Sequence, residues 1–281
     1  MRYILKFIAY EIIYMGHLQA IGAAGIVYIA STLFNLPVPI ALLFATYALF
    51  QGIYYYDRYR DIEIDRETNG RRTRHLETYA KYIPVVLFMY FVIAAFLFLH
   101  LNIGALLVLA TIIALFGIFY PIYFKAITSK VQMFKDFYVA SVFAVLVFFP
   151  LLYNGTPLQV SALILGLLGF VFIESFIMQL ALDLKDSKSD ARLGLRTLPA
   201  SVGRGDTATY ILTLSIGFSG IIIGYGAQQS LPAMFILLAI ATLLFNLFTL
   251  TAIKQRHTWG YLLTSGKYLY WLLIILLLQY A

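Results

Sequence analysis

The sequence predicts an all-α integral membrane protein, and its composition, its apolar runs and the placement of its basic residues each support that prediction. Of the 281 residues, 62% are hydrophobic and only 12% are charged. Soluble domains carry about 25% charged residues, so a chain with half that share is suited to lipid rather than to water. We interpret the whole chain, residues 1–281, as a single transmembrane domain.

Nine stretches of the chain are apolar enough to form spanning helices, which need roughly 20 residues each. In chain order they cover 16–34, 37–56, 82–100, 103–124, 136–154, 158–182, 207–226, 231–254 and 261–280. The N-terminal residues resemble a signal peptide in their basic start and short apolar run, but Glu11 and His17 interrupt that run. We therefore expect a short, retained interfacial segment before the first span.

The basic residues predict the orientation of these spans, because Lys and Arg concentrate in cytoplasmic loops. Nineteen of the twenty basic residues precede the first span or lie in the connections after the second, fourth, sixth and eighth spans. The opposite connections, near residues 35, 101, 155 and 229, contain none. The N-terminus and the charged loops are thus expected in the cytoplasm, and the C-terminus outside. The net charge of +7 follows from this topology, so no nucleic-acid partner is expected.

The acidic residues are concentrated in two trios, each at the predicted cytoplasmic end of a span. They are Asp57, Asp61 and Asp65 after the second span, and Asp183, Asp186 and Asp190 after the sixth. Spacings of three and four residues place each trio on one face of a helix. Carboxylates stacked in this way repel one another, and oxygen-only clusters favour hard divalent ions such as Mg²⁺. For one trio alone, a solvated charged loop is the alternative.

The presence of two such trios favours a site for a lipid diphosphate. The basic segment "NGRRTRHL" follows the first trio and "ARLGLRTLP" follows the second. Four spans separate the trios and return the chain to the same side, so we expect the clusters to face each other as a clamp for Mg²⁺ and a diphosphate. The chain has no cysteine and its four histidines lack metal-ligand spacing, which excludes thiolate catalysis and zinc–thiolate sites.

These motifs resemble those of the UbiA superfamily of intramembrane prenyltransferases. "DRYRDIEID" followed by "NGRR" is similar to the first motif of that family, N-x-x-x-D-x-x-x-D, with Asp57 in place of the usual Asn. "DLKDSKSDARLGLRTLPASVG" is similar to the second motif, D-x-x-D-x-x-x-D followed by G-x-x-T-L-P. The resemblance covers essentially the full chain. It implies two four-helix bundles plus one further helix around a central cavity.

The resemblance also implies roles for individual residues. The implied Mg²⁺ ligands are Asp61, Asp65, Asp183, Asp186 and Asp190, with Asp57 as a further catalytic position. The implied substrate-binding residues are Arg71, Arg72, Tyr120, Lys125, Arg192 and Arg196. Lys135 and Asp136 begin the fifth span. For Tyr120 and Lys125 the alternative explanation is an interfacial tyrosine and a lysine whose charge reaches toward water.

The implied activity is the Mg²⁺-dependent transfer of a prenyl group from a prenyl diphosphate to a hydrophobic acceptor in the bilayer, as in isoprenoid biosynthesis. The acceptor is an aromatic compound, a quinone precursor, a carotenoid or a lipid. A terpene cyclase or a phosphoribosyl transferase with the same clamp is an alternative, and a non-enzymatic lipid or ion carrier is another. A carrier needs carboxylates within its spans, where only Glu174 lies deep. Glu174 either pairs with Lys267, the one base placed well inside a span, or is protonated.

Overall fold

The structure, a computed structural model, describes residues 2–63, 66, 69–229 and 231–280, and all the regular secondary structure within them is helical. The all-α prediction is therefore confirmed. In chain order the helices are α1 (Arg2–Tyr14), α2 (His17–Phe34), α3 (Ile40–Arg60), α4 (Gly70–Glu77), α5 (Ile83–Leu101), α6 (Gly104–Phe119), α7 (Phe134–Val145), α8 (Phe149–Tyr153), α9 (Ala162–Arg192), α10 (Leu198–Ser201), α11 (Arg204–Gln229), α12 (Ala233–Lys254), α13 (Thr258–Ser265) and α14 (Lys267–Gln279). Short 3₁₀ or π turns lie at Ala80–Tyr82, Tyr120–Phe124, Lys125–Ser129 and Leu146–Phe148.

The predicted number of spanning helices is approximate. Among the described residues, seven helical segments are long and apolar enough to cross a membrane, or eight if α13 and α14 form one bent span. Helix α3 occupies the second predicted span and has 21 residues, enough for about 30 Å at 1.5 Å per residue. Its last turns carry the polar sequence "YYYDRYR", which makes the helix as a whole less apolar. Each of the nine predicted stretches is mostly helical, but the fifth comprises α7, a short 3₁₀ turn and α8, and helix α9 continues ten residues past the predicted end of the sixth.

The last predicted span, 261–280, is broken rather than continuous. Helices α13 and α14 meet at Gly266 with a bend of 58°. Lys267 follows the break directly, and its Nζ donates to Glu174 Oε2 at 2.9 Å and to the Glu174 backbone oxygen at 3.1 Å. Both side chains are almost wholly buried. The ion pair suggested by the sequence is therefore confirmed, and it lies at the bend.

The described chain packs as two compact units. The first comprises residues 1–24 and 38–125, and the second comprises 25–37 and 126–281. In the first unit a buried cluster is formed by Met15, Tyr55, Leu76 and Ile83. The second unit has a larger core that includes Phe176, Ile177, Leu180, Leu184 and Ile253. Each unit contains one of the two acidic motifs, and the assignment of residues 1–281 to a single membrane domain stays a prediction.

Helix α9 is longer than a membrane span, and the second acidic motif lies in the part that extends past its apolar residues. Its 31 residues give a length of about 46 Å, whereas a bilayer core is roughly 30 Å thick. Ser161 caps its first turn, where the hydroxyl accepts from the Ile164 amide at 3.2 Å. Helix α7 packs along it through Phe137 and Phe176, whose ring centroids are 4.6 Å apart. This packing places the start of α7 beside the acidic end of α9.

Candidate active site

The first acidic cluster forms where α3 ends. Asp57 lies in the last turn of α3, and the Asp61 amide donates to the Asp57 backbone oxygen at 3.0 Å. The two aspartates are therefore one helical turn apart, as their spacing predicts. Helix α3 itself ends at Arg60, and residues 62, 63 and 66 are helical again after a turn at Asp61. Asp65, the third member of the predicted trio, lies outside the described residues.

Lys125 is bound to this cluster. Its Nζ donates to Asp61 Oδ2 at 2.5 Å, and both side chains are mostly buried. The position of Lys125 is set by a π-helical turn, Tyr120–Phe124, in which the Lys125 amide donates to the Tyr120 backbone oxygen. Such turns are rare and occur often at functional sites. The contact with Asp61 distinguishes Lys125 from a lysine that only reaches toward water.

Asp57 is surrounded by both acidic and basic side chains. The charged groups around it are Asp61, Arg58, Lys125 and Arg72. Arg72 is half-buried on α4, whereas its neighbour Arg71 is exposed. Of the two arginines predicted to bind phosphate in this segment, the structure thus brings Arg72 near the first cluster.

A carboxylate outside both motifs anchors α4. Glu11 Oε2 accepts from His75 Nε2 at 2.7 Å and from the Tyr79 hydroxyl at 2.8 Å. Burial raises the pKa of Glu11, but hydrogen bonds from His17, His75 and Tyr79 outweigh it and hold that pKa below its ordinary value. Burial and the neighbouring Glu11 charge raise the pKa of Tyr79. Sequence reasoning treated Glu11 only as an interruption of an apolar run and missed this role.

The turn between α1 and α2 needs a glycine. Gly16 has φ of +93°, and a Cβ at this position would lie 2.6 Å from Cβ of Tyr54. A side chain is therefore excluded both by the backbone conformation and by the closeness of α3. This close approach holds the N-terminal helix against the end of α3 that leads to Asp57.

The second acidic cluster is formed by one continuous helix, as predicted. Asp183 and Asp190 are buried on α9, and Asp186 is half-buried between them. Lys135 Nζ donates to Asp183 Oδ1 at 2.7 Å from the start of α7. The Thr197 hydroxyl donates to Asp190 Oδ2 at 3.0 Å. Both outer carboxylates of the trio are thus oriented by side chains from outside α9.

A fourth carboxylate joins this cluster. Asp136 follows Lys135 in the first turn of α7 and is 0% exposed. Within the described part of the chain, no group donates a hydrogen bond to either of its carboxylate oxygens or to Asp183 Oδ2, and the Asp136 and Asp183 side chains contact each other. The charged groups around Asp136 are Asp183, Lys135 and Asp190. Sequence reasoning placed Asp136 at the start of a span and assigned it no role in the site.

Backbone hydrogen bonds join the segment before α7 to the segment after α9. The Arg196 amide donates to the Thr128 oxygen at 3.0 Å, and the Met133 amide donates to the Arg196 oxygen at 3.1 Å. Met133 has φ of +58°, an unusual conformation for a residue with a long side chain. Arg192 and Arg196, the two predicted phosphate contacts of this segment, are exposed, and Arg196 Nη1 donates to the Lys130 oxygen at 3.3 Å.

The donors in the second cluster fit Mg²⁺. This ion is usually bound by one or two carboxylates together with waters and substrate phosphates, rather than by a cage of protein ligands. Within the described ranges, no three acidic or histidine side chains converge as a preformed metal cage. The buried oxygens of Asp136 and Asp183 that lack partners supply a carboxylate pair of the kind Mg²⁺ uses.

The fold and the site define an all-helical membrane protein with two aspartate-rich clusters, and comparison with known proteins gives its family. The chain matches the model of the UbiA prenyltransferase family over residues 19–274. It therefore belongs to the UbiA prenyltransferase family. A search of the curated proteins finds no significant match.

Several solved structures share this fold. A UbiA homolog from Aeropyrum pernix K1 has a TM-score of 0.75 and 15% identity, covering 94% of this chain and 98% of that one. A digeranylgeranylglyceryl phosphate synthase has a TM-score of 0.59 and 17% identity, covering 97% and 96%. A UbiA homolog from Archaeoglobus fulgidus, bound to GPP and Mg²⁺, has a TM-score of 0.66 and 10% identity, covering 95% and 99%. At these identities the structures establish a common fold.

Proposed function

We propose that this chain is a Mg²⁺-dependent prenyltransferase that moves a prenyl group from a prenyl diphosphate to a hydrophobic acceptor within the membrane. The observation that carries the proposal is that each acidic cluster holds a lysine against one of its aspartates, Lys125 on Asp61 and Lys135 on Asp183. Carboxylates for a metal ion and ammonium groups for phosphate oxygens are the two kinds of charge that a metal–diphosphate complex requires. Family membership and the relative bound to GPP and Mg²⁺ support the same ligands.

The roles of the site residues follow from their chemistry. When bound, Mg²⁺ neutralises charge that grows on the diphosphate as the allylic carbon–oxygen bond breaks. Lys125 and Lys135 each donate to a carboxylate oxygen now, and the same Nζ groups can donate to phosphate oxygens instead. Thr197 fixes the orientation of Asp190 through its hydroxyl. These side chains therefore bind and orient the diphosphate before the bond breaks.

The full assignment extends to residues whose roles the family resemblance implies. We propose Asp61, Asp65, Asp183, Asp186 and Asp190 as Mg²⁺ ligands, Asp57 as a further acidic position, and Arg71, Arg72, Tyr120, Lys125, Arg192 and Arg196 as contacts of the substrate. That both clusters act on a single diphosphate stays a prediction.

The contacts of Glu174, the carboxylate that lies deep in a predicted span, support an enzyme rather than an ion carrier. Glu174 Oε2 accepts from Lys267 Nζ at 2.9 Å and from Asn246 Nδ2 at 2.8 Å, and the side chain is fully buried. No described group donates to Oε1, but the charge of Lys267 compensates for that of the carboxylate. A carboxylate paired in this way is a structural ion pair rather than a binding site for a transported cation. The acidic residues at the ends of α3 and α9 are the ones placed to bind ligands.

We also propose that the N-terminus and the charged loops are cytoplasmic and that the C-terminus is outside. The Asn154 side chain donates to the Pro37 backbone oxygen at 3.0 Å, so two connections that both lack basic residues lie at the same end of the second unit. Tags inserted near Asn154 or Gln228 should be reached only from outside, and tags near Arg72 or Lys188 only from the cytoplasm. A cytoplasmic signal at Asn154 would contradict this orientation.

The direct test is diphosphate release by the purified protein. Dimethylallyl, geranyl, farnesyl and geranylgeranyl diphosphate should each be supplied with Mg²⁺ or with EDTA, and with or without candidate acceptors. We expect release that needs both Mg²⁺ and an acceptor, and that is lost in Asp183→Asn. Asp206→Asn is the matched control, because Asp206 is an exposed aspartate in the first turn of α11.

The same assay separates the proposed reaction from its alternatives. Release without any acceptor would indicate a terpene cyclase, and consumption of phosphoribosyl diphosphate would indicate a phosphoribosyl transferase. Release at the wild-type rate in both EDTA and Asp183→Asn would refute the proposed function.

A further inference from the structure

Asp136 is the one acidic residue of the second cluster that neither aspartate motif includes. It lies on α7, next to the lysine that binds Asp183, and it is wholly buried. Among the described residues, no group donates a hydrogen bond to either of its oxygens or to the second oxygen of Asp183, and the Asp136 and Asp183 side chains contact each other. Buried polar atoms without a partner are uncommon, and each needs a physical explanation.

The balance of charge around Asp136 is unfavourable if its carboxylate and its acidic neighbours are all ionised and no cation is present. Asp136, Asp183 and Asp190 are all buried, and the lysine that donates to this group, Lys135, reaches Asp183 Oδ1. Removing an ionised carboxylate from water is costly unless a positive charge or a hydrogen bond compensates for it. Three buried oxygens of two neighbouring carboxylates, to which no described group donates a hydrogen bond, are what a divalent cation would satisfy.

The position of Asp136 is fixed by the backbone. Met133, three residues earlier, adopts a left-handed conformation and donates its amide to the Arg196 oxygen. The Asp136 amide in turn donates to the Met133 oxygen at 3.0 Å. Strained backbone that its surroundings maintain is concentrated at functional sites. The start of α7 is thus held in the geometry that directs Asp136 into the cluster.

We propose that Asp136 is a metal ligand of the second cluster, and that with Asp183 it binds Mg²⁺ before the diphosphate arrives. The proposal rests on the proposed function for the identity of the metal and for the role of Asp183. Asp136 adds a ligand from a second helix, so that the cation is bound by side chains of both α7 and α9. The alternative is that Asp136 and Asp183 share a proton and that Asp136 has no contact with metal.

Metal binding can be measured without any reaction. The purified full-length protein is titrated with Mn²⁺ in the absence of diphosphate, free Mn²⁺ is followed by electron paramagnetic resonance, and Mg²⁺ is added as competitor. We expect a Mn²⁺ site at the second cluster of the wild type, and an affinity of that site about 10- to 100-fold lower in Asp136→Asn. Asp183→Asn should weaken it as well, and Asp206→Asn should not.

The pattern across variants separates the two proposals. If Asp183→Asn weakens Mn²⁺ binding and Asp136→Asn does not, Asp136 is not a ligand and the proposed function stands. If neither change weakens it, the metal role of the second motif fails together with that of Asp136. If the wild type binds no Mn²⁺ without diphosphate, binding of the metal ahead of the substrate is refuted.

A change of metal preference gives a second readout that does not depend on loss of binding. The chain has no native cysteine, so Asp136→Cys introduces a single thiolate ligand. Soft thiolates favour Cd²⁺ over Mn²⁺, and the ratio of the two affinities should therefore shift toward Cd²⁺ by at least about 10-fold. Asp206→Cys is the control for a thiol elsewhere. An unchanged ratio in Asp136→Cys would overturn the proposal even if Asp136→Asn does not fold.

Discussion

Changing Glu174 and Lys267 together should cost less stability than the sum of the two single changes. Both side chains are almost wholly buried, and Lys267 makes two hydrogen bonds to Glu174. Removing one member leaves the other charge buried without its partner, which typically costs about 3–5 kcal/mol. A matched exposed change, Lys254→Met at the end of α12, should cost less than about 0.5 kcal/mol. We therefore expect Glu174→Gln and Lys267→Met each to be strongly destabilising.

The assay is thermal unfolding of the detergent-purified protein at one lipid and detergent concentration. Taking about 2–4 °C per kcal/mol, each single variant should lower the midpoint by about 10 °C. In the double variant no unpaired charge is left, so its loss should fall short of the sum of the single losses by about 1–3 kcal/mol. Strictly additive losses would refute the reasoning, because they would mean that the two side chains do not interact. A loss in Lys254→Met as large as in Lys267→Met would also refute it.

Three further predictions concern the acidic residues. Asp61→Asn and Asp183→Asn should leave the protein soluble in detergent and helical, yet lower Mg²⁺-dependent diphosphate release by at least about 100-fold, since a ligand of such an ion is worth several kcal/mol. Asp206→Asn should not change the rate of diphosphate release. If the variant with both Asp61→Asn and Asp183→Asn lost activity by the product of the two single factors, that would contradict the prediction that both clusters act on one diphosphate. Asp57→Asn restores the residue usual in relatives and should keep activity while changing the Mg²⁺ concentration that gives half the maximal rate; a loss as large as that of Asp61→Asn would argue against this. The pKa of Glu11 is lowered by folding from its ordinary 4.5, so its contribution to stability is complete above that value and lost as pH falls through the lowered one. The thermal midpoint of the wild type should thus fall further than that of Glu11→Gln between about pH 6 and about pH 3, and equal falls would count against the role of Glu11.

The fold class and the second motif could be predicted because each depends on local sequence. Lipid leaves helices as the favoured structure for long apolar segments, so composition and run length were sufficient for the all-α prediction. The spacing of Asp183, Asp186 and Asp190 then placed them on one face, since α9 continues through all three. The end of α3 at Arg60 was not predictable in the same way. Residues 61–69 contain no glycine or proline, which are the usual local signals that a helix ends.

The remaining differences depend on contacts between distant parts of the chain. The bend before Lys267 coincides with its pairing to Glu174, 93 residues earlier, and Gly266 was the local signal of a break. The burial of Asp136 depends on how α7 packs against α9, which no local pattern expresses. An aspartate beside a lysine at the start of a span, in a chain with 13 acidic residues, was the signal that could have drawn attention to it.

The two backbone hydrogen bonds of Arg196 also set the length of a loop. The Arg196 amide donates to the Thr128 oxygen, and the Arg196 oxygen accepts from the Met133 amide. Both ends of the stretch from Thr128 to Met133 are therefore held by the same residue. Most surface loops tolerate insertions and deletions, since only their ends are held. Here one residue added or removed between Thr128 and Met133 would break one of these two hydrogen bonds, or would turn Asp136 and Lys135 away from Asp183. The number of residues in this loop is therefore fixed by its backbone hydrogen bonds.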